Sequence, residues 1–232
     1  MEIVEKLHVV AGFLALTTFW VPLVTRRGSR LHRRTGWIYS VSMSYVALSA
    51  ILLGVGRWLG RLPGSPAIGL FLAYLGLFAG CCVAHGLVAL RTKQRTGALP
   101  VSAPVVLLST VQLLLGPLVI YIGLRSSSQL LVWFPLLPIF VSASQLRYWL
   151  RPPQEKMHWW MEHTGGMFAA SIGTLTAFAV FGGPRLLGVG STHPALWVAP
   201  SVLMVPLLIR TQQKDRARFA ARAWAKPSRT SA

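Results

Sequence analysis

The chain has 232 residues, 53% of them hydrophobic and only 12% charged, with 23 Lys and Arg against 5 Asp and Glu and a formal charge of +18. Apolar residues in this number, gathered into long uncharged runs, exclude an ordinary soluble domain. The basic excess would suggest nucleic acid in a soluble protein, but here it lies between apolar runs and is directed to anionic lipid instead.

Seven apolar runs follow in chain order: Leu7–Thr25, Trp37–Gly56, Ala67–Leu90, Ala98–Leu124, Gln129–Leu146, Met157–Gly183 and His193–Ile209. Each is roughly the 17–25 residues that a helix needs to cross about 30 Å of hydrocarbon. None has an interior Lys or Arg, and only the sixth holds an acid, Glu162. In lipid every backbone polar group must be satisfied internally, so such runs are helices; a barrel would show short alternating segments. The first run follows Glu2 and Glu5 rather than a basic n-region, so it is read as a retained helix and not a cleaved signal. The expectation is an all-α, polytopic transmembrane bundle of about seven helices over residues 1–209, followed by a basic tail, 210–232.

The gaps between runs set an orientation. The first, third and fifth gaps and the tail hold 18 of the 23 basic residues; Lys6, Arg57, Arg61, Arg125 and Arg185 make up the other side. Short loops rich in Lys and Arg stay cytoplasmic, which puts the N-terminus outside and the C-terminus inside a bacterial cytoplasmic membrane. Tyr148, Trp149, Trp159 and Trp160 fall near the inner ends of runs, the level that such rings favour. In the tail, Lys214, Arg218, Arg222 and Lys226 recur every four residues and would form one helical stripe. A short helix on the anionic inner leaflet and a solvated, frayed tail are both compatible with this pattern.

Ionisable side chains inside a bilayer are costly and mark candidate sites. Glu162 and His163 lie six and seven residues past Lys156, and His85 lies six residues before Arg91. At 1.5 Å per residue all three sit roughly 9–10 Å inside the inner interface, on the third and sixth helices. Small residues surround them. Gly165, Ala169 and Gly173, spaced by four, form a face that admits close helix approach.

Three chemistries compete with a purely structural role for these histidines. Two histidines on different helices can ligate a b-type haem; His85 with His163 is the first candidate pair, and His8 with His193 a second near the outer ends. A transition metal would draw on His85, His163, Glu162 and His158, with Cys81 as a further ligand. Glu162 with a histidine could instead handle protons or a solute. Either redox reading would imply a redox partner or a second copy of the chain. His32, in the first basic gap, reads as a headgroup contact. No intramembrane Lys is present for a retinal Schiff base, and the only Asp is Asp215 in the tail. Adjacent Cys81 and Cys82 have a poor geometry for a mutual disulfide and read as packing residues.

His8 with Ala11-Gly12, Arg26-Arg27-Gly28, and Leu31-His32-Arg33-Arg34 with Gly36 and Tyr39 form a first set of motifs. Glu162-His163, Met167, Ser171-Ile172 and Thr176-Ala177-Phe178 form a second. Together they resemble a family of uncharacterised bacterial multi-pass membrane proteins. The resemblance covers the first two helices and the sixth, with His8, His32 and His163 at the recurring positions. It implies a helical membrane bundle, and its histidine pattern is similar to that of cytochrome b-type bundles.

Overall fold

A computed structural model describes residues 1–97, 103–187 and 194–224. Every regular element among them is helical, and seven helices are long and apolar enough to cross a membrane. The protein is an all-α, multi-pass membrane bundle. Its spans are α1 (Glu2–Val24), α2 (Arg30–Trp58), α3 (Pro66–Ala89), α4 (Ala103–Arg125), α5 (Gln129–Leu150), α6 (His158–Gly182) and α7 (Ala195–Ala221).

Local chemistry explains the breaks and ends. α1 is interrupted at Phe19 because Pro22 has no N–H to give the Thr18 carbonyl. The Thr18 hydroxyl also bonds back to the Leu14 carbonyl at 2.6 Å, a contact that bends helices. The Ser29 hydroxyl caps α2 by accepting from the His32 amide, so α2 starts at Arg30, about two turns earlier than the apolar run suggested. Arg30, Arg33 and Arg34 are therefore helical rather than loop residues. Pro66 opens α3 at its first turn, where a missing N–H costs nothing. α6 ends in a π-turn, Phe178–Gly182.

α7 departs most from expectation. Its helix runs from Pro194 to Trp224 without a break at the end of the apolar run. The segment expected to be a separate tail is, as far as it is described, the same helix. Buried contacts hold it there: Asp215 is 5% exposed, pairs with Arg27 of the first loop, and accepts from the Trp160 indole at 2.8 Å. Phe219 meets the Trp160 ring edge-on at 5.5 Å.

α3 is the central helix and packs against α2, α4, α5 and α6. Its contact with α2 is glycine-mediated: a Cβ on Gly54 would lie 2.5 Å from the Gly69 carbonyl oxygen, and one on Gly76 2.8 Å from that of Ala47. One core gathers Phe19, Tyr39, Met43, Phe78, Phe168 and Met204 from α1, α2, α3, α6 and α7; a second joins Phe71, Tyr74, Val119 and Leu131 of α3, α4 and α5. Leu48, Leu52, Leu114, Phe140 and Val202 point outward and are exposed, as lipid-facing side chains are.

Candidate functional site: a buried histidine–glutamate pair at the floor of a cleft

His85, Glu162 and His163 lie at a common level of the bundle, but only His85 and Glu162 face each other. α3 and α6 are neighbours, and His85 Nε2 lies 2.8 Å from Glu162 Oε2. The approach is close because Gly86 and Gly166 meet: a Cβ on Gly166 would lie 2.8 Å from the Cys82 carbonyl oxygen and 3.0 Å from Gly86 Cα. The face proposed from Gly165 and Gly173 is about one residue out of phase. A Cβ on Gly173 would meet nothing within 4 Å.

The hydrogen bonds assign the His85 proton. Trp149 of α5 points its indole Nε1–H at His85 Nδ1, 3.0 Å away. An indole N–H can only donate, so Nδ1 accepts and the ring proton sits on Nε2, which donates to the Glu162 carboxylate. His85 and Trp149 are sealed from the surroundings: the His85 side chain is 3% exposed and Trp149 0%. Trp149 is thus a core residue, not the interfacial ring expected. The Arg95 guanidinium positions it by donating to the Tyr148 and Trp149 carbonyls at 2.8 and 3.2 Å, while lying 4.3 and 5.1 Å from the two ring centroids. A cation here also neutralises the carbonyl end of α5.

Glu162 differs from His85 in access: its side chain is 33% exposed. It forms part of the floor of a cleft of about 410 Å³ at the basic end of the bundle, with Arg147, Arg151, Glu155, His158 and Arg216 around it. The cleft exists because α5 and α6 make at most marginal direct contact among the described residues. Tyr148 and His158 bridge the gap instead, with the phenol oxygen 2.7 Å from Nδ1.

The remaining histidines separate. His163, next to Glu162 in sequence but turned about 100° around the helix, donates from Nδ1 to the Gly86 carbonyl at 2.9 Å. His8 donates to the Ser49 hydroxyl at 2.7 Å, which itself donates to the Tyr45 carbonyl. His32 lies on the first turn of α2 and bonds the Pro22 carbonyl left open at the end of α1. His193 lies outside the described residues.

A haem between His85 and His163 does not fit this arrangement. Axial ligation needs a free ring lone pair, and both His85 nitrogens are engaged. The space between α3 and α6 is closed by glycine contacts that a macrocycle would have to part. The set His85, His163, Glu162 and His158 does not converge either; among the described residues no group of three or more His, Cys, Asp or Glu side chains could hold a metal ion. Cys81 and Cys82 are buried free thiols. The residues that sequence reasoning passed over are Trp149, Tyr148 and Arg95. Their only signal was position: two aromatics and one of many arginines at the basic ends of runs. No family model, curated protein or solved structure matches the chain.

Proposed function

We propose that the chain is a proton-coupled carrier of the bacterial cytoplasmic membrane, with its arginine-rich end in the cytoplasm and Glu162 as the group that takes up and releases the proton. One observation carries this reading: a carboxylate inside a membrane span opens to a cleft on one side and is hydrogen-bonded on the other to a sealed histidine. Intramembrane carboxylates of this kind mark proton and solute pathways. His85 is a positioning residue. Its Nε2–H holds the carboxylate at the cleft floor, and Trp149 holds the ring.

The same hydrogen bonds favour a carrier over a proton channel. A relay through His85 would have to pass a proton onward from Nδ1, and the indole bound there cannot accept one. The proton therefore enters and leaves Glu162 by way of the cleft, and transfer across the membrane requires the bundle to change which side the cleft faces, as carriers do. The positive charge of the basic loops supports the orientation.

The test is a pH-difference infrared spectrum of the full chain in liposomes, paired with proton flux in dye-loaded proteoliposomes. A protonated-carboxyl band that disappears in Glu162→Gln, together with loss of flux, is the expected result. Native-like band and flux in Glu162→Gln would reject the reading.

A further inference from the structure

We infer that the cargo of this carrier is a small water-soluble oxyanion, a carboxylate or a tetrahedral anion, which binds at Arg147 and Arg151 and crosses together with the proton on Glu162. The inference rests on the reading of Glu162 as the group that takes up the proton. Three observations carry it.

The first is access. The rim of the cleft is the loop after α5, where Arg151, Pro152, Gln154 and Glu155 are exposed. The Glu155 and Arg216 side chains there are 53% and 59% exposed, and Glu162 at the floor is 33% exposed. A dissolved ion therefore reaches the carboxylate from the loop side. A volume of about 410 Å³ is that of a small-molecule site.

The second is unused charge. The chain has five acidic side chains. Glu2 pairs with Lys6, Glu5 with Arg57, Asp215 with Arg27 and Glu155 with Arg216, while Glu162 takes the His85 N–H. None pairs with Arg147 or Arg151, although both line the cleft. A guanidinium presents a planar fork of N–H donors that matches the paired oxygens of a carboxylate, sulfate or phosphate. A spherical halide offers no such match.

The third is the carboxylate among these arginines. Three arginines and two carboxylates line the cleft. With His158 neutral, the lining carries one positive charge when Glu162 is ionised and two when it is protonated. An ionised Glu162 repels an anion in the same cleft; a protonated one does not, and has an O–H to donate. The neighbouring groups do not take over this role. His85 has its proton held on Nε2. Tyr148 and His158 are bonded to each other at 2.7 Å, and Arg95, in the loop after α3, is spent on the Tyr148 and Trp149 carbonyls. Proton and anion therefore bind cooperatively, each strengthening the other by the same factor.

Isothermal titration calorimetry of the full chain in detergent tests the binding, with lactate, sulfate and chloride as probes whose charges stay fixed from about pH 5.5 to about pH 8. Lactate or sulfate is expected to bind about tenfold more tightly than chloride, and about tenfold more tightly at the acid end of that range than at the alkaline end. Whichever of the two binds more tightly names the class of oxyanion. Glu162→Gln, neutral at every pH, should keep the oxyanion and lose the pH dependence, whereas His158→Gln should keep both. Arg147→Gln with Arg151→Gln should weaken the oxyanion about tenfold. Thermal unfolding of each variant separates lost binding from lost fold. In dye-loaded proteoliposomes an inward gradient of the tighter oxyanion should drive proton uptake, which a bound but untransported anion would not do. Equal binding of the three probes, a pH dependence that survives Glu162→Gln in a folded variant, or an oxyanion gradient that drives no proton uptake would overturn the proposal. If it fails in these ways while Glu162→Gln still loses the protonated-carboxyl band and the proton flux, this inference alone falls and the carrier reading stands.

Discussion

Trp149 donates its indole N–H to His85 Nδ1 across the α3–α5 contact, at 3.0 Å and out of reach of both water and lipid. That one bond decides which nitrogen carries the His85 proton, and so makes His85 a donor to Glu162. A neutral histidine with a fixed tautomer is a hydrogen-bonding strut; one with a free Nδ1 would be a relay or a ligand. Residue type alone does not distinguish these, and the neighbour on α5 does.

Trp149→Phe preserves most of the apolar volume and removes the donor. Losing a buried hydrogen-bond partner is expected to cost about 1–3 kcal/mol. Thermal unfolding in detergent should show a lower midpoint, and ¹⁵N NMR of the labelled His85 ring should change from one Nε2–H tautomer to a mixture. An unchanged ring spectrum would mean that Trp149 does not set the tautomer.

Asp215→Asn leaves Arg27 without its charge partner and weakens the bond to Trp160. The expected loss is about 1.5–3 kcal/mol, the range for hydrogen bonds to charged groups. Arg27→Gln should cost a similar amount, and the double variant less than the sum, with a coupling of about 0.5–3 kcal/mol. Limited tryptic cleavage within residues 210–224 should accelerate in parallel. Additive losses would show that the two side chains act independently.

The two glycine phases on α6 can be separated by one methyl group each. Gly166→Ala forces a Cβ to within 2.8 Å of the Cys82 carbonyl and 3.0 Å of Gly86 Cα, both backbone atoms that cannot easily move. It should destabilise the bundle by about 1–3 kcal/mol. Gly173→Ala meets nothing within 4 Å and should be neutral, or stabilising by up to about 1 kcal/mol, because the substitution removes backbone freedom from the unfolded chain. Thermal unfolding of the pair decides which glycine face carries the α3–α6 contact.

Single cysteines at Arg91 and Arg151, in a chain with Cys81 and Cys82 replaced by Ala, should react with an impermeant thiol reagent only after the cell membrane is opened. A cysteine at Arg61, on the opposite side, should react in intact cells. The reverse pattern would invert the orientation drawn from the loop charges.

Much of the architecture was legible because hydrocarbon imposes a length and forbids charge. The seven spans, the alternation of basic and non-basic ends, and the common depth of His85 and Glu162 all follow from counting residues against a known thickness. What counting does not reveal is rotation about a helix axis. His163 was placed with His85 because consecutive residues share a depth, yet the turn between them sends His163 to the Gly86 carbonyl. Rotation also separates Gly165 from Gly166: the second, not the first, is the glycine that meets Gly86. Three-dimensional partners such as Arg95 for Tyr148 and Trp149 leave no local pattern at all: they join residues 53 and 54 positions apart. The apolar run stops at Ile209, but the helix continues to Trp224, with Asp215 and Phe219 held against Trp160.

The pairing of Arg27 with Asp215 spans 188 residues of sequence and closes the first loop onto the last helix. A ribosome delivers Arg27 long before Asp215 exists. Until the seventh helix arrives, the first basic loop has no buried acid to receive it and the Trp160 indole has no acceptor. The two ends of the chain thus keep each other waiting, and the clasp closes only on a fully inserted protein. A chain truncated before Asp215 would carry both His85 and Glu162 in its sequence and still lack this clasp.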